Sequence, residues 1–162
     1  MTSQVNEARS GNFLFALDYD RDFNMAVQTS NVVDATLGET PLPNGRKEYA
    51  IPSNTVTNSD LIIQFIISED FREWISMYRW MMQLKNAQYS PLLFKTSELT
   101  ALDSQNKPSA RFRYFNTWIT ALDGMQYTVV EDSSILVATA TIKHSGLNVL
   151  APNGEVIDEQ YS

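Results

Sequence analysis

The passage from Asp60 to Asn86 most constrains this chain, because a short β-branched run passes directly into a long amphipathic one. Leu61, Ile63, Phe65 and Ile67 recur at every second position, the period of a strand. Ile62 and Ile66 flank Gln64 on the other face, so the strand is expected to be covered on both sides. Ser68 then stands where a helix N-cap belongs, and Glu69 and Asp70 place carboxylates in the first turn, where the helix dipole favours them. The spacing predicts a helix over about 69–86, roughly 27 Å long. Phe71, Trp74, Ile75, Tyr78, Met81 and Met82 form one stripe along it, and Met77, Trp80 and Leu84 form a second.

One stripe serves the chain's own sheet. A wide core or a neighbouring loop covers the second, or another subunit does. Trp, Met and Tyr are enriched at interfaces, so Met77, Trp80 and Leu84 are candidate subunit contacts. On that reading, Trp80→Asp leaves the monomer folded and abolishes assembly.

The rest of the chain reads mostly as strands. Residues 1–11 are polar and expected to be loose. Asn12–Leu17 and Asp22–Thr29 alternate as strands, joined by the polar turn at 18–21 into an antiparallel pair. From 36 to 59, Pro41, Pro43, Asn44, Gly45, Pro52, Asn54 and Asn58 mark an extended loop or arm, with a short strand at Arg46–Ile51. Loops this long are usually either functional or disordered, so a mobile surface loop is the competing reading; on the functional one Pro41, Pro43, Arg46, Tyr49 and Pro52 are its candidate contacts. Ala110–Thr120 and Ser134–Lys143 alternate again, and Gln126–Val130 is a further candidate strand. In the first of these, Phe112, Tyr114 and Trp118 share one face, and Arg111, Arg113, Phe115 and Ile119 the other. Asn106–Pro108 is a turn, and residues 151–162 are a polar, acidic tail. The whole, 1–162, is expected to be one domain of α+β class: a mostly antiparallel rolled sheet or β-barrel with one packed helix.

Chemistry is thinly represented. With no cysteine, disulfides and thiolate catalysis are excluded. His144, the single histidine, ends an alternating strand and is expected to be solvated. Asp18, Asp20 and Asp22 are spaced like calcium-loop carboxylates. The required glycine and glutamate are replaced by Phe23 and Thr29, so a solvated turn is the better reading. The six glycines form no phosphate-binding loop. Arg111, Arg113, Tyr114 and Trp118 interleave base and aromatic as single-strand binders do. Yet 12 basic residues against 19 acidic ones give a net charge of −7, which opposes phosphate binding. No apolar run reaches membrane-spanning length, and the polar start is not expected to act as a signal peptide. The expectation is a non-enzymatic protein without cofactor or metal.

The segment NSDLIIQFIISEDFREWISMYRWMMQL, the Pro41–Leu42–Pro43 triplet, ARFRYFNTWITAL and ATATIKH resemble the tail-tube family of contractile-tailed phages, in particular its terminator subunits in T-even-like phages. The resemblance runs from Asn12 to Val149. It implies a homo-hexameric ring in a virion tail, assembled in the host cytoplasm. Inner strands would join around a channel that DNA traverses without specific binding, and the arm would reach a neighbour. Such a ring would cap the tube and meet neck or sheath proteins. The runner-up within the same family is a repeating tube subunit or a ring where tube meets baseplate. A monomeric β-domain binding module is the competing reading of another class.

Overall fold

A computed structural model of the chain describes residues 11–18, 24, 26–45, 47–88, 90–124, 127, 135–153 and 155–159. The strands before the helix are β1 (Phe13–Leu17), β2 (Val27–Ser30), β3 (Ala35–Asn44), β4 (Lys47–Asn58) and β5 (Leu61–Ile66). Helix α1 (Arg72–Asn86) and a 3-10 turn (Pro91–Leu93) follow. Then come β6 (Lys95–Leu102), β7 (Pro108–Leu122), β8 (Val137–Lys143), β9 (Gly146–Leu150) and β10 (Val156–Glu159).

The fifteen-residue strand β7 organises the molecule. Its first half pairs with β6 on one side and β9 on the other, giving the order β1-β6-β7-β9-β10. Its second half pairs with β8, giving β7-β8-β5-β2. The partner changes beside Asn116, whose φ of 49° lies in the left-handed region that L-residues seldom adopt. Opposite it, β8 hands over to β9 across His144 and Ser145, and the Ser145 amide donates to Phe115 O at 2.9 Å. Bending one strand here rolls an antiparallel sheet into two layers. It remains an open roll rather than a closed barrel.

One apolar core draws on both layers. Phe15, Leu17, Leu99, Tyr114 and Leu147 come from one, and Leu61, Ile63, Phe65, Ala138, Ala140 and Ile142 from the other. The bend also resets the alternation of β7. Strict alternation puts Ile119 on the face opposite Tyr114, but the kink at Asn116 brings both into the core.

Helix α1 packs on β7, and its Trp74 Nε1 donates to Asp123 O, just past the end of that strand, at 3.2 Å. It starts at Arg72 after Phe71 in left-handed conformation, later than the Ser68 cap predicted from sequence. Ser68 serves the helix start differently. Its amide and hydroxyl donate to the buried Glu73 carboxylate at 3.1 and 2.7 Å. Burial works to raise the Glu73 pKa, and these hydrogen bonds outweigh it, holding the group below its ordinary value.

Other expectations need correction. β1 and β2 do not pair with each other: β1 pairs with β6, and β2 with β5. Asn24 and Ala26 are helical, and Asn24 Oδ1 takes the Leu17 amide at 2.7 Å, turning the chain away from a hairpin. β5 is covered on one face only, since Ile62 is 48% exposed. Over its described residues, the arm expected at 36–59 is built from the paired strands β3 and β4 rather than from loop with one short strand. The polar tail contains β10, paired with β9. The strand expected at 126–130 lies outside the described residues except for Tyr127, as do Asp20 and Asp22.

Candidate assembly surface

The feature most open to a partner is the hairpin of β3 and β4. Among the described residues, its strands of 10 and 12 residues pair only with each other. At ~3.3 Å per residue the shorter one spans about 33 Å. Asn44 pairs with Lys47, and Gly45, whose φ is 61°, begins the turn between them. A bulge between Leu37 and Glu39 interrupts it lower down. There a Cβ on Gly38 would come within 2.5 Å of Ser53 Oγ, so a larger residue would require the Ser53 hydroxyl to turn away.

Among the described residues, five of the fourteen exposed large hydrophobics sit on this hairpin: Leu37, Leu42, Tyr49, Ile51 and Val56. Leu42 and Tyr49 lie directly opposite each other, and Ile51 shares their face two residues on. These three are 50%, 52% and 41% exposed, which makes one continuous apolar strip. Pro41, Pro43 and Pro52 are also exposed or half-exposed. A proline nitrogen cannot donate to a ladder, so Pro41 and Pro43 fit β3 where their nitrogens face its outer edge. That edge is poor for strand addition. The apolar face is the part of the arm suited to contact. Arg46, also expected as a contact, lies outside the described residues.

The arm leaves the body through a hydrogen-bonded root. Ser59 N donates to Asp34 O at 3.1 Å, and Asp34 N donates to Ser59 Oγ at 2.9 Å. Asn31 bridges to the next strand: its Oδ1 accepts from Ile62 N at 2.7 Å, and its Nδ2 donates to Asp60 O at 3.2 Å. His144 is half-buried rather than solvated, and its Nε2 reaches Ser59 O at 3.1 Å from the corner of the roll.

The helix contacts expected from sequence are not on the surface. Met77 and Trp80 are buried at 0% and 2% exposure, and Leu84 packs against the core. Trp80 Nε1 donates to Leu93 O at 2.8 Å, so the 3-10 turn closes over that stripe. The exposed side of the helix carries Ile75 and Tyr78, with Tyr78 stacked on Trp74 at 5.2 Å.

The arginine–aromatic pattern of β7 is taken apart by the fold. Tyr114 is buried, and Arg113 pairs with Glu98 at 3.1 Å. Among the described residues, no group of three or more His, Cys, Asp or Glu is placed to hold a metal ion, and no helix is long and apolar enough to cross a membrane.

No family model matches the chain. A tail tube terminator protein of Enterobacteria phage T4 is 26% identical over an alignment of 174 positions, spanning 95% of this chain and 94% of that one. Two solved structures share the fold. One belongs to the tube-terminating cap of the anti-feeding prophage, with TM-score 0.73 at 10% identity, covering 92% of this chain and 94% of its own. The other belongs to the sixfold-symmetrised baseplate of the same system, with TM-score 0.71 at 13% identity, covering 92% and 99%. The chain shares its fold with these two structures, and along nearly its whole length it is similar in sequence to a tail tube terminator.

Proposed function

We propose that this chain is a tail tube terminator, a structural and non-enzymatic subunit that closes into a hexameric ring at the end of a contractile tail tube. The likeness to a terminator over nearly the full length of both chains carries the reading. The sixfold assembly of a protein with the same fold supports the ring. The arm supports it physically, because an apolar strip on an isolated hairpin is a surface that a neighbouring subunit would cover. Pro41, Pro43, Tyr49 and Pro52 belong to that contact.

In this role the ring meets the tube on one side and neck or sheath proteins on the other. DNA passes through its channel without specific binding, which suits a subunit of net charge −7. It works in the virion tail after assembly in the host cytoplasm. The shared fold of cap and baseplate proteins keeps a baseplate-junction ring or a repeating tube subunit as the second reading. Electron microscopy of the purified protein mixed with tail tubes tests the choice. The terminator reading expects one ring seated on a tube end, which then stops growing. Stacked rings of this chain along the tube would support the repeating subunit, and a persistent monomer would favour a separate binding module.

A further inference from the structure

We infer that His144 is the positioning residue for the arm, pinning its root to the corner about which the sheet rolls. The inference deepens the proposed function and rests on it, since a set arm direction matters only if the arm meets a neighbour.

His144 lies between β8 and β9, where the chain passes from one layer to the other. Its ring stands edge-on to Tyr114, 5.2 Å between centroids, and Tyr114 is fully buried in β7 just before the bend at Asn116. Its Nε2 reaches Ser59 O at 3.1 Å. A carbonyl oxygen only accepts, so the ring proton of this bond sits on Nε2. Ser59 belongs to the short link between the end of β4 and the start of β5 and is tied to Asp34 at the start of β3. One side chain therefore connects the corner of the roll to both strands of the arm at their base.

The ring's other nitrogen makes the placement specific. His144 Nδ1 is buried and has no hydrogen-bond partner. A buried polar atom without a partner destabilises a fold, and a Leu or Phe would fill the same corner without that cost. What the imidazole adds over those residues is the Nε2 donor held at Ser59. The ladder bonds between β3 and β4 keep the arm in one piece but do not aim it. The root bonds do, and the one from His144 is the root bond that comes from across the roll.

The test compares His144→Leu, which removes the donor, with His144→Gln, whose amide nitrogen can take the place of Nε2. Amide exchange at Asp34 and Ser59 is measured in the full-length protein, beside its unfolding midpoint and its ring formation. His144→Leu is expected to keep the midpoint, speed exchange at the root about tenfold, as for one lost hydrogen bond, and lose ring formation. His144→Gln is expected to restore slow exchange and rings. Wild-type exchange in a folded His144→Leu protein would overturn the inference. If His144→Leu unfolds, His144→Gln decides, and fast root exchange in a stable His144→Gln protein would overturn it equally. A Leu42→Asp, Tyr49→Asp protein separates the role of the arm from the role of its anchor. If it still forms rings, the arm's role falls, while root exchange continues to judge His144.

Discussion

Trp80 has its indole inside the core, its Nε1 bonded to Leu93 O, and the Lys95 ammonium 5.1 Å from the ring. A residue held this way serves stability rather than assembly. Trp80→Ala is expected to cost about 3–5 kcal/mol, read as a lower urea midpoint with the slope retained. An unchanged midpoint would return the residue to the surface. Sequence periodicity located both stripes of α1 but not which was already covered, because the 3-10 turn that closes over Trp80 has no helical or strand period. Tyr114 gives a second test. Burial pushes its phenol from 10.0 up to about 12, and the nearby Val33 backbone offsets only part of that. The folded state therefore holds this proton more tightly than the unfolded one. The stability it confers is complete below pH 10 and is lost as pH rises through about 12. Unfolding measured against pH should show that alkaline fall, and Tyr114→Phe should flatten it. The Tyr114 hydroxyl has no hydrogen-bond partner of good geometry, so the same variant should also gain about 1 kcal/mol at neutral pH.

At the scale of elements, strands that follow a clean apolar period were legible, while β6 and β9, with polar residues turned inward, were not. β5 and β8 could be read directly from Leu61–Ile67 and Ala138–Ile142. β6 went unseen because Ser97 points inward, where its hydroxyl meets that of Thr117 at 3.3 Å, and Thr117 in turn donates to Lys95 O at 2.6 Å. β9 went unseen for a similar reason, with Asn148 buried mid-strand. The arm was legible as an arm through its prolines and glycine. Its ladder was hidden by the same residues, which are poor strand formers in a sheet interior and acceptable at an open edge. Its exposed face makes a separable prediction. Leu42→Asp with Tyr49→Asp is expected to leave the monomer's stability within about 0.5 kcal/mol and to abolish ring formation in light scattering. A large loss of monomer stability would mean that the arm's face packs on its own body.

At the scale of the molecule, a single bent strand rolls the sheet, one helix closes the core, and a hairpin some ten residues long extends from the roll. The class of this fold was readable from the strand-to-helix passage and the later alternating runs. The roll itself was not, because it depends on a backbone angle at Asn116 that no side-chain pattern announces. The acidic balance and the exposed arm fit the proposed ring subunit, which would complete its surface with copies of itself. The most direct test counts copies of this chain in assembled tails and locates them by electron cryomicroscopy. A single sixfold ring at one end of the tube is expected, with each arm lying on the adjacent subunit. Copies repeating along the whole tube, or tails that assemble and cap normally without this chain, would contradict it.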